Sequence, residues 1–179
     1  MITMSESLLK WVQFVSIMLY LLVAGVMWGT WLSLARTMTN YDAATFLTDG
    51  KHMIENLAVI MAVLMISAVV IGSIVVVLLF RSRSMIAAWL AVIGLLLMIA
   101  VLVITLAVEV PIDNLIANWT EDTLPGNWQD IRARWAVFHT LRTFVSLGAV
   151  AAAVGAGLTT RVADQNSSRR TVEVEPTAV

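Results

Sequence analysis

Apolar positions run in long unbroken blocks, and the polar positions between them mark where helices must end. No charged residue lies between Lys10 and Arg36, between Glu55 and Arg81, or between Arg83 and Glu109, and each gap is 25 residues long. As α-helix each gap covers about 37 Å, which exceeds the roughly 30 Å hydrocarbon core of a bilayer and leaves room for tilt. A fourth apolar run of 18 residues separates Arg142 from Arg161. It reaches a comfortable spanning length if its helix begins near Ile131 and carries His139 and Arg142 inside it. The pattern predicts an all-α, four-transmembrane-helix bundle with helices over about 8–35, 52–80, 84–110 and 131–160, forming one membrane domain over residues 1–163. Residues 164–179 are polar and read as a disordered tail.

The connections follow from the same pattern. The first helix is too long, and its amino-terminal flank too weakly basic, for a cleaved signal peptide, so a retained signal-anchor is expected. Thr37–Lys51 reads as a polar loop, and Arg81-Ser82-Arg83-Ser84 as a tight turn that makes helices two and three an antiparallel hairpin. Pro111 closes helix three, because proline disfavours helix in the residue before it. The longest loop, Ile112–Asp130, holds Asp113, Asn114, Trp119, Glu121, Asp122, the turn Pro125-Gly126-Asn127 and Trp128, and is expected to form a short extracytoplasmic cap. Asp130 is the expected N-cap of helix four.

Composition sharpens this picture chiefly by exclusion. With 60% apolar and 13% charged residues and a mean hydropathy of +0.89, the chain is displaced from soluble domains toward lipid. A net charge of -1 provides no basic footprint for nucleic acid. The absence of cysteine removes disulfides, zinc–thiolate sites and thiol relays. Lys10, Arg81, Arg83, Arg161, Arg169 and Arg170 flank one side of the four spans, against Arg36, Lys51, Arg132 and Arg134 on the other, a bias that predicts a multi-pass cell-membrane protein with both termini cytoplasmic. Membrane lipid and a lipophilic small molecule are the expected partners.

The scarce polar residues crowd toward the opposite face. Trp28 and Trp31 end helix one, while His52, Glu55 and Asn56 share a face of helix two by their spacing. Glu109, Asp113 and Asn114 follow helix three, and Arg132, Trp135, His139 and Arg142 form a stripe on helix four. An arginine inside a span requires a partner or a watered cavity, and Glu109 and Glu55 are the carboxylates available. These residues predict a polar pocket under the cap. Trp11, Trp89, Trp119 and Trp128 read as interfacial belt residues. Gly25/Gly29 and Gly148/Ala152/Gly155 read as close-packing faces, available to a homo-oligomer.

Three chemistries suit such a pocket. His139 can act as a general base with Arg142 stabilising an oxyanion. His52, Glu55, Glu109 and His139 offer metal ligands. His52 and His139 offer a bis-histidine haem site. A non-enzymatic membrane binding or assembly subunit, held together by the same polar cluster, is the alternative from a different class.

Two stretches carry a resemblance. One is Ala24-Gly25-Val26-Met27-Trp28-Gly29 through Ala44-Thr45-Phe46 to Asn56-Leu57. The other is Val110-Pro111-Ile112-Asp113-Asn114, a tryptophan-bearing loop, then Arg134-Trp135-x-x-x-His139-x-x-Arg142-Thr143. Together they resemble the anthrone oxygenase-like family of small four-helix membrane proteins, most of them of unknown function. The resemblance implies oxidation of an anthrone to an anthraquinone without flavin or haem, so no cofactor is expected. It implies His139 as base and Arg142, Asn114 and Trp135 as pocket partners, with a benzylic carbanion that itself reduces dioxygen. Asp113 stands where asparagine is common in that turn, which alters how the turn meets a ligand.

Overall fold

The computed structural model describes residues 6–173, with side chains described over residues 7–160. Helix α1 (Glu6–Thr30) runs on through a wide π-turn, Trp31–Ala35, and a short 3-10 turn, Met38–Asn40. Helix α2 (Ala43–Arg81) and α3 (Met85–Ile104) form the expected hairpin. Arg83 closes its turn in the left-handed region, with φ of 59°. A second π-turn, Thr105–Glu109, joins α3 to α4 (Val110–Asn118), and α5 runs from Trp128 to Glu173. Among the described residues there is no strand, and four helical segments are long and apolar enough to cross a membrane.

Four boundaries differ from the sequence reading. Helix α2 starts at Ala43 rather than His52, because the Asp42 carboxylate caps it by accepting from the Thr45 N–H at 2.8 Å. That bond holds the exposed Asp42 carboxyl below its ordinary range. The residues read as loop then form an amphipathic first stretch, with Phe46, Leu47 and Gly50 buried beside exposed Thr45, Thr48 and His52. Pro111 does not stop the third span: the π-turn just before it relaxes the winding where proline's missing N–H and bulky ring would conflict, and the proline falls in the first turn of α4. The loop of the cap therefore shrinks to 119–127, and the cap is largely helical. Helix α5 begins at Trp128, with Asp130 in its first turn. It continues to Glu173, past the expected end at 160, since neither glycine nor proline lies between Gly157 and Pro176. The end of the polar tail, 174–179, lies outside the described residues.

Three apolar layers stack along the bundle. Near the α2–α3 turn Leu9, Val75, Leu79 and four alanines of α3 and α5 pack together. The middle layer joins Tyr20, Val23, Met27, Met65, Met98 and Val101. The cap layer joins Ala35, Met38, Phe46, Leu47, Ile112, Ile116 and Trp135. Small residues make the most extensive pairing, α3 on α5: a Cβ on Gly94 would sit 3.2 Å from the Ala149 carbonyl, and Gly148 and Gly155 lie against Leu97 and Leu90. The Gly148/Ala152/Gly155 face is thus used inside the chain, whereas Gly25 and Gly29 face outward with nothing within 4 Å of an added Cβ.

Candidate functional site

Between the middle layer and the cap lies a cavity of about 250 Å³. An apolar cavity of about 150 Å³ holds one benzene ring, so this volume suits a larger, fused-ring molecule. Its walls are mostly aliphatic and thioether, including Met27, Met53, Met61 and Met65. Methionine adapts to flat, irregular ligands and makes favourable contacts with aromatic rings. The mouth opens sideways between α2 and the α3–α4 rod, among exposed Ala58, Ala62, Ile66, Leu106 and Val110, all within apolar spans.

The inner wall carries polar groups of a different character: Thr105, Asp113, His139 and Arg142. Arg142 organises them. Its Nη1 donates to Thr105 Oγ1 at 3.0 Å, and its Nη2 lies 2.9 Å from both His139 Nδ1 and Glu109 Oε2. The contact with Nδ1 is a directed hydrogen bond. The contact with Glu109 is a close charge pairing without that alignment, and neither Glu109 oxygen has a hydrogen-bond donor among the described residues. Glu109 is completely buried behind the cavity wall. Two charges in such surroundings persist only together, because either one alone would meet the full cost of desolvation.

His139 is held from both sides. A guanidinium can only donate, so Nδ1 must be the accepting nitrogen; Nε2, 3.2 Å from the Met27 carbonyl, must then carry the hydrogen. The ring is neutral in this arrangement and neither nitrogen is spare. Trp135, four residues earlier on α5, stacks on it with a centroid separation of 4.7 Å and an interplanar angle of 9°. The same indole reaches across the cap and donates from Nε1 to Asp113 Oδ1 at 3.1 Å.

Of the residues singled out from the sequence, His139, Arg142 and Asp113 line the cavity, and Glu109 and Trp135 stand behind its wall. His52, Glu55 and Asn56 do share a face of α2, but it is the exposed outer one. Trp28 packs against Trp31 in a tilted pair beside Phe144, away from the cavity, and Asn114 is exposed on α4. The suggested ligands His52, Glu55, Glu109 and His139 therefore do not converge, and among the described residues no group of three or more metal-binding side chains forms. His52 likewise lies on a different surface from His139, so the two do not face one haem.

Some participants were not foreseen. Thr105 precedes Glu109 by four residues, a spacing that hints at a shared face. The Met27 carbonyl has no side-chain signal at all. Arg132 belongs to the same α5 stripe but serves the cap: it donates to the Tyr41 and Thr39 carbonyls and lies over the Trp128 ring at 4.7 Å. It clamps the 38–41 turn onto α5.

A family model described as Anthrone oxygenase matches residues 50–152, more than half of the chain, from the first turns of α2 through the cap to the middle of α5. No curated protein and no solved structure matches the chain.

Proposed function

The chain belongs to the anthrone oxygenase family, and from that premise we propose that it is a membrane oxygenase acting on a lipophilic, anthrone- or quinol-like aromatic, by base-assisted carbanion formation and reaction with dioxygen. The observation that carries this reading is the cavity itself: fused-ring in volume, thioether and aliphatic along its walls, open between apolar spans, with Thr105, Asp113, His139 and Arg142 gathered at its inner wall.

The chemistry asks little more of the protein. Loss of a proton from the methylene between two rings yields a carbanion whose charge spreads onto the ring ketone oxygen. Arg142, braced by Glu109 and Thr105, supplies fixed positive charge for that oxygen in surroundings with little water to reorganise. The carbanion passes one electron to dioxygen, and the resulting radical and superoxide combine through a new C–O bond. The peroxide takes up a proton, and loss of water turns the carbon into a carbonyl. One methylene and one O₂ become one C=O and one H₂O, so no outside reductant enters.

The purified protein in liposomes, supplied with anthrone, is expected to consume one O₂ per anthrone and to release anthraquinone. Uptake no faster than in empty liposomes would overturn this reading. The same proposal orients both termini to the cytoplasm, on the balance of lysine and arginine. A reporter fused at Ser82 should then signal from the cytoplasm and one fused at Glu121 from the outside; the reverse pattern refutes the orientation.

A further inference from the structure

The cavity wall holds three groups capable of accepting a proton or of stabilising its loss, and their hydrogen bonds divide the labour among them. Arg142 is a donor only. His139 has its accepting nitrogen occupied by Arg142 and its other nitrogen donating to the Met27 carbonyl. To take a substrate proton the imidazole would first have to release the guanidinium, with Glu109 still paired to it. Glu109 is fully buried and is not among the residues that line the cavity. Asp113 differs from all of these. It lines the cavity, its Oδ1 is fixed by the Trp135 indole, and its Oδ2 accepts no hydrogen bond from the described residues. Trp135 is itself immobilised, 1% exposed and stacked on His139.

We propose that Asp113 is the general base of the cavity, with Trp135 as its positioning residue and His139 as a brace for Arg142. The inference rests on the oxygenase reading above. Asp113 Oδ2 takes the benzylic proton and becomes a carboxylic acid, while the electron pair stays on the substrate as the carbanion. After the C–O bond to oxygen has formed, the same carboxylic acid returns the proton to the peroxide, and water leaves. Indole donation to Oδ1 leaves Oδ2 without a donor among the described residues, available to take the proton.

Proton abstraction can be read apart from oxygen chemistry. Anthrone deuterated at its methylene, held anaerobically with the protein in liposomes, should lose deuterium to water at a rate above the lipid background. Asp113→Asn keeps the shape and an oxygen for the indole, and is expected to slow both wash-out and aerobic O₂ uptake at least about 100-fold, the lower end of what a general base contributes. Binding of anthraquinone, followed by quenching of tryptophan fluorescence, should stay within threefold of wild type, which a merely structural role for Asp113 would not allow. Asp113→Ala supplies a second test: formate in the buffer should restore part of the wash-out. Wash-out by Asp113→Asn at the wild-type rate overturns the assignment, as does loss of wash-out in His139→Gln with retention in Asp113→Asn. Neither result touches the oxygenase reading, which fails instead if wild-type protein neither exchanges deuterium nor takes up oxygen.

Discussion

Replacing Arg142 with methionine is expected to destabilise the folded bundle by about 3–5 kcal/mol, the usual consequence of removing one partner from a buried ion pair. The cause is Glu109. Its side chain is completely buried, neither oxygen receives a hydrogen bond among the described residues, and the Arg142 guanidinium lies 2.9 Å away. Without Arg142, Glu109 keeps its burial and loses the cation beside it. The double variant Arg142→Met with Glu109→Gln should recover most of that loss, because a neutral amide replaces the stranded charge. It should recover no O₂ uptake, since the cation facing the cavity is still missing. Unfolding in detergent, followed by near-ultraviolet circular dichroism, measures the first effect, and an oxygen electrode the second. A single variant as stable as wild type, or a double variant no more stable than the single, would show that Glu109 does not depend on Arg142.

Inserting one alanine after Ala107 is expected to remove activity while leaving all four spans in place. Ala107 lies in the Thr105–Glu109 π-turn and its side chain is exposed, so an added residue beside it changes the register and little else. A π-turn is an α-helix already holding one residue too many, and each residue of α-helix turns the chain by about 100°. The wide turn has no room for a second extra residue, so the insertion swings α4 by about that angle relative to α3. Asp113 then leaves Trp135, and Ile112 and Ile116 leave the cap layer. A misplacement of about 1 Å can already cost about 100-fold in rate, so at least that loss of O₂ uptake is expected. Ala107→Leu, which keeps the chain length at an exposed site, should behave as wild type. Retained uptake in the insertion variant would mean that the register of α4 is immaterial to the site.

The gross architecture was legible because lipid imposes a blunt rule: three gaps of 25 residues without a charge admit few other solutions. The pairing of Arg142 was legible for a related reason, since a charge inside a span must find a partner and few carboxylates lie within reach. The orientation of the α2 face was not. His52, Glu55 and Asn56 do lie together, but helical spacing says only which residues share a side and not whether that side meets the bundle or its surroundings. Asp42 does not stand out as a cap because the polar run after it reads as loop, although Phe46 and Leu47 carry the inward stripe. The π-turn has no signature in residue identity, and without it Pro111 reads as a stop. The bond from Trp135 to Asp113 depends on that turn, so it could not be foreseen either.

The sideways mouth between α2 and the α3–α4 rod has a kinetic consequence. A molecule that enters from the acyl-chain region is counted by its mole fraction in the membrane, and its concentration in buffer matters only through partitioning. At fixed total substrate, adding inert phospholipid should therefore dilute the substrate and raise the apparent KM in proportion to lipid, with kcat unchanged. Selectivity among aromatics would then combine two filters, solubility in the bilayer and fit to the cavity, and poorly water-soluble compounds would be favoured before the protein contacts them.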